Sequence, residues 1–216
     1  MDGRERIKRI ISGEKADRCG FWMGNPHADT WPIYFKHFGI ANGGDSEESL
    51  RRRMGDDLRW ICPELFAHMY KHPRNKPLWD NQHDPSKGLA SAGVFADCED
   101  PAEVDKFPWP NPDYYDFREA VQTLKNTGPY YRLGGMGCPF FHIVADFFGM
   151  ENYFVKMHTD PEVVEAVTRR VCEFYLETNE RFFEQAGGEL DGFFFLNDFG
   201  SQLNLLISPE FFDHFM

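Results

Sequence analysis

Positive charge is scarce in this chain: 23 Lys and Arg stand against 35 Asp and Glu, a formal net charge of −12. A surface of that sign repels phosphate backbones and anionic lipid, which argues against nucleic acid and membrane as partners. Long apolar runs are missing too. The opening "MDGRERIKRIISGEKADR" is charged throughout and has no signal-peptide core, and no later stretch reaches membrane-spanning length. The expected location is therefore cytoplasmic. Cysteine is sparse, with Cys19, Cys62, Cys98, Cys138 and Cys172 odd in number, widely spaced and without a C-x-x-C pair. That fits reduced cytosolic thiols better than a disulfide framework or a zinc knuckle. His68 and His72, in "HMYKH", would share a helix face at i, i+4. They lack the Glu of a zincin motif and run into Pro73, so they read as structural or surface histidines. Neither a repeat nor a low-complexity segment is visible.

What is present is ordinary globular composition with many large rings. Apolar residues make up 42% and aromatics 16% of 216 residues, including 22 Phe, enough to bury a sizeable core. Residues 2–12 read as a helix with Ile7, Ile10 and Ile11 on one face and Gly13 as its stop. Residues 46–55 read as a charged helix, whose "RRR" at 51–53 is a solvated face. Residues 114–126 read as another helix. The clearest begins at Asp160-Pro161 and keeps helical spacing through Val164, Val167, Val171, Phe174 and Phe182 to Gly187-Gly188. Apolar runs predict strands near 19–23, 57–62, 89–95, 130–136 and 191–197. Strands alternating with helices indicate a parallel sheet.

In such a sheet ligands sit at the carboxyl ends of the strands. "DGFFFLNDFGSQ" (191–202) is a nearly all-apolar strand that ends in an acid, a serine and an amide. Asp, Gly and Ser are also ordinary turn residues, so the pattern by itself fits a turn equally well.

Three segments together resemble the uroporphyrinogen decarboxylase superfamily: "RERIKRIISGEKADRCGFW", "GMGCPFFHIVADFFGMENYF", and the stretch from "TDPEVVEAV" through "DGFFFLNDFGSQLNLLISPEFF". The resemblance implies an α/β fold of the (β/α)8 TIM-barrel type. Such a barrel needs roughly 250 residues and eight strands, so residues 1–216 read as a single domain truncated after about five strands. It implies two chemistries. One is cofactor-free decarboxylation of uroporphyrinogen; the other is methyl transfer to or from a corrinoid protein, with zinc activating a thiol.

The residues favour the second. The decarboxylase pattern places arginines straight after its first strand, where this chain has Met23-Gly24-Asn25-Pro26-His27-Ala28. Its second-strand aspartate is replaced by Cys62-Pro63-Glu64. Its catalytic tyrosine falls near Ala145 or Asp146. The zinc set of the methyltransferases, a His-x-Cys and a distant Cys, has no counterpart in 1–216, so these residues are expected to hold no cofactor. Zinc and a corrinoid partner belong to the full-length reading. Candidate substrate-binding residues for a small-molecule or tetrapyrrole ligand are Asp198, Ser201, Gln202, His142, Glu64, Trp22 and His27. Competing readings are a uroporphyrinogen decarboxylase, a non-catalytic binding module and an inactive truncated product.

Overall fold

The computed structural model describes residues 1–81 and 91–216. In chain order the elements begin with α1 (Gly3–Ile11), α2 (Thr30–Phe38), α3 (Ser46–Met54), β1 (Leu58–Ile61), α4 (Pro101–Val104) and α5 (Arg118–Asn126). They continue with β2 (Tyr131–Gly134), α6 (Phe140–Phe148), α7 (Met150–Thr159), α8 (Pro161–Ala186), β3 (Gly192–Phe193) and α9 (Pro209–Phe215). The chain is α/β, and it divides into two compact units. The first holds residues 1–61, 121–134 and 188–193; the second holds 62–120, 135–187 and 194–216.

The first unit is built on a parallel sheet in the order β1-β2-β3, with Leu58 opposite Tyr131 and Leu133 opposite Gly192. Helix α1 is capped by Asp2, whose carboxylate accepts the Glu5 N–H at 2.8 Å. It packs on β2 through a face different from the expected one. Gly3 and Arg6 are its buried residues, while Ile10 and Ile11 are 41% and 68% exposed. A side chain at Gly3 would come within 2.9 Å of the Asp57 carbonyl, so the helix makes its closest approach there and Ile10 and Ile11 turn outward. Ile7 is half-buried, and the tips of both Ile7 and Ile10 reach the Gly20 backbone, while Ile11 does not.

The expected strand at 19–23 does not form, although the segment is tied down. Phe21 N–H donates to the Asp57 carboxylate at 3.0 Å and Met23 N–H to that of Asp56 at 3.2 Å. Side-chain acids thus make two of the contacts, beside a single backbone bond from the Asp57 N–H to the Phe21 carbonyl at 2.8 Å. Asp57 is further held by Arg6 at 2.6 Å and Arg18 at 2.8 Å. Arg51 departs from the solvated-face reading: it pairs with Asp56 at 3.0 Å and donates to the Gly24 carbonyl.

The second unit is organised on the long helix α8, against which α4, α6, α7 and α9 pack. Its core is aromatic. Phe147 stands within 5.0–6.1 Å of the rings of Trp79, Phe95, Phe107 and Trp109, distances at which edge and offset ring pairs are favourable. Residues 89–90 of the expected 89–95 strand lie outside the described residues, and the remainder is not a strand. Its N–H groups go elsewhere: Phe95 donates to the Phe147 carbonyl at 2.8 Å and Val94 to that of Asn81 at 3.1 Å. His68 and His72 share no α-helix face, because 67–69 is a single 3-10 turn. Only Gly192 and Phe193 of the expected 191–197 strand join the sheet. Among the described residues no helix is long and apolar enough to cross a membrane.

Candidate functional site

The chain enters the second unit directly after each strand, at Cys62 after β1, at Gly135 after β2 and at Phe194 after β3. Glu64 on the first of these entry segments is bonded to the second, and the second is bonded to the third. The residue sits in a 3-10 turn started by Pro63, whose fixed φ suits a first helical position. One Glu64 oxygen accepts the Tyr175 hydroxyl at 2.5 Å and the other accepts the Gly137 N–H at 3.1 Å.

Helix α8 supplies two of the polar contacts from one face. Tyr175 reaches Glu64, and one turn later Asn179 accepts the Met136 N–H at 2.8 Å and approaches the Cys138 sulfur at 3.1 Å. The second entry segment is therefore pinned by Asn179. Its neighbour Cys138 takes a left-handed φ of 50°, uncommon outside glycine. The third segment is pinned to the second by Asn197, which accepts the Phe141 N–H at 3.0 Å and donates to the Cys138 carbonyl at 2.9 Å. Leu196 N–H adds a bond to the Gly137 carbonyl.

Burial pushes the Glu64 carboxyl above its ordinary range, against the opposing pull of Tyr175, Trp79 and the backbone of Gly137 and Cys138. Cys62 and Cys138 are pushed up to about 12, chiefly by burial and also by the nearby Glu64. Both thiols are consequently protonated near neutrality and poor nucleophiles. Tyr115 and Tyr175 are raised as well, again by burial first. The Trp79 indole N–H is buried without a hydrogen bond, close enough to Glu64 to favour its charged form.

No family model, curated protein or solved structure matches this chain.

The predicted site residues fare unequally. Glu64 is at the centre of the cluster. His142 lies in the first turn of α6, and its Nε2 accepts the Asp198 N–H at 3.3 Å, so the two are neighbours. The Asp198 side chain is itself exposed. Ser201 is absorbed in its own turn, where its hydroxyl accepts the N–H groups of Leu203 and Asn204 and donates to the Asn204 carbonyl. The turn reading therefore describes Ser201, and Gln202 beside it is exposed. Trp22 and His27 belong to the first unit. Trp22 is half-buried and His27 exposed, the latter accepting the Asp29 N–H at 3.3 Å.

Sequence reasoning missed Tyr175, Asn179, Asn197 and Trp79. A signal existed for the first two: they are polar groups at i, i+4 on the same apolar stripe as Val171 and Phe182. Asn197 stood in the polar strand end itself without being named a site residue, and Trp79 carried no signal.

Proposed function

We propose that this chain supplies the amino-terminal βα units of a (β/α)8 barrel of the uroporphyrinogen decarboxylase type. In this reading the whole protein moves a methyl group to or from a corrinoid protein. The observation that carries it is the Glu64 cluster. An acid from the segment that follows β1 in the chain, a glycine N–H from the segment that follows β2 and a tyrosine hydroxyl from α8 come together there. In α/β proteins the segments after parallel strands are those that bind ligands. The parallel order β1-β2-β3 agrees with such a barrel.

The loop after Trp22 supports methyl transfer over decarboxylation. A substrate with eight carboxylates needs cationic clamps to offset their desolvation. The arginine that reaches this loop, Arg51, is spent on Asp56 and the Gly24 carbonyl. The described residues do not fit a zinc ion: no three His, Cys, Asp or Glu side chains among them converge, and Cys62 and Cys138 are held protonated. Methyl transfer from methyl-corrinoid to a thiol breaks the cobalt–carbon bond, leaves its electron pair on cobalt, forms a sulfur–carbon bond and releases the thiol proton.

The test is to give the whole protein a methylated corrinoid protein with a thiol, and separately uroporphyrinogen. Loss of the methyl-cobalt absorbance with matching thioether is expected. Coproporphyrinogen formation without methyl transfer would contradict the proposal.

A further inference from the structure

The second unit also holds a cavity that shares no lining residue with the Glu64 cluster. Phe199, Leu205, Ile207, Pro209, Phe212 and Asp213 enclose a volume of about 350 Å³. Its walls are tied together. Gly200 bridges to Leu205, the Leu206 N–H donates to the Phe199 carbonyl at 2.9 Å, and Ser208 caps α9 by accepting the Phe211 N–H at 3.2 Å. The Phe199 and Phe212 rings meet edge to face at 5.1 Å. The cavity opens to solvent and leaves apolar surface in water: Leu205 is 65% and Phe212 40% exposed. An apolar cavity of about 150 Å³ is enough to hold benzene, so this one has room for two fused rings.

The charge beside the cavity has one sign. Residues 194–216 contain no Lys or Arg. Asp213 lines the cavity, and Glu210 stands three residues before it on the same side of α9. Neither acid has an ion pair among the described residues. His214, the one basic group of this stretch, is paired with Glu165 at 3.0 Å. The rim thus presents negative charge that the chain itself leaves unmatched.

We infer that this cavity binds a small aromatic amine, a bicyclic ring seated among Phe199, Leu205, Ile207 and Phe212 with its ammonium group beside Asp213. Removing the ring and the cavity wall from water supplies the affinity, and the carboxylate at the rim sets the orientation. A second copy of the chain fits the rim less well, since it would bring another net charge of −12 to it. The inference does not rest on the family reading, because the cavity and its acidic rim are the same whichever reaction the protein performs.

The probe is 2-naphthylmethylammonium chloride, titrated calorimetrically into the intact protein in about 0.15 M sodium chloride, which screens long-range attraction to the acidic surface. Methylammonium carries the charge without the ring, and 2-naphthalenemethanol the ring without the charge. Saturable binding is expected for the probe, weaker by about twofold to fivefold for the alcohol, the scale of an exposed ion pair, and absent for methylammonium. Asp213→Asn should abolish the preference for amine over alcohol. Leu205→Lys should weaken the probe by about tenfold or more, because its own ammonium takes the ligand's place beside Asp213. Both positions are exposed, so both variants should fold, and melting curves check this. Failure of the wild type to bind the probe, an unchanged affinity in Leu205→Lys, or an amine preference that survives in Asp213→Asn would each overturn the inference. So would sedimentation showing a dimer that Leu205→Lys splits while no probe binds, which would give the cavity to a second copy.

Discussion

At the scale of single residues, the polar groups of the Glu64 cluster divide labour between holding and being held. Asn179 holds. Its side chain takes the N–H of Met136, a residue with no exposed surface, and Asn179→Ala would strand that donor. The expected loss is about 1–3 kcal/mol of unfolding free energy, the cost of a buried unsatisfied polar group, measured by urea denaturation. Glu64 is held at a cost that depends on pH. Because its folded-state carboxyl titrates above the usual 4.5, the folded protein binds that proton more tightly than the unfolded chain. Its contribution is fully present below pH 4.5 and is lost as pH rises through the folded value. Glu64→Gln, which keeps an acceptor for the Gly137 N–H, should therefore gain in melting temperature relative to wild type as pH rises from 4.5 to 8. A difference that shrinks over that range would show that the acid is more stable ionised than its burial implies.

At the scale of elements, what the sequence made legible follows where each segment's hydrogen bonds go. Helix α8 matches its reading from Pro161 to the glycines after Ala186, because proline, periodic apolar residues and a glycine stop all agree. Strands β1 and β2 fall inside their predicted runs, since their bonds go to a neighbouring strand. The runs at 19–23 and 91–95 are equally apolar but spend their N–H groups on carboxylates and on the end of a helix. No periodicity reports such a partner. Of the candidate site residues, Asp198 was named from its strand end, His142 from a strand-to-helix turn and Glu64 from its place after the second strand. The structure makes His142 and Asp198 neighbours and puts Glu64 in a polar cluster. Asn197 was hidden because its role exists only once two distant segments meet. Glycines test this docking. A methyl at Gly93 would stand 2.2–2.3 Å from the backbone of Asp146 and Phe147, whereas one at Gly43 meets nothing within 4 Å. Gly93→Ala should cost at least about 1–3 kcal/mol by overpacking. Gly43→Ala should be neutral or slightly stabilising, since it removes freedom from the unfolded chain. Equal melting temperatures for the two variants would mean that the 91–95 segment does not dock as described.

At the scale of the molecule, a formal net charge of −12 argues against a polyanionic ligand. The proposed function joins the sequence resemblance to the uroporphyrinogen decarboxylase superfamily with the spent Arg51 and the Glu64 cluster, and it proposes methyl chemistry over decarboxylation. Its central claim is that the working site is built around Glu64. The most direct measurement is the rate of corrinoid methyl transfer by the whole protein, wild type beside Glu64→Gln, with melting curves confirming that both are folded. The account predicts turnover in wild type and a loss of about 10²-fold or more in the variant, the scale of a positioned acid–base or charge-stabilising group. Wild-type turnover that Glu64→Gln leaves intact, or no methyl transfer by the folded wild type at all, would contradict it.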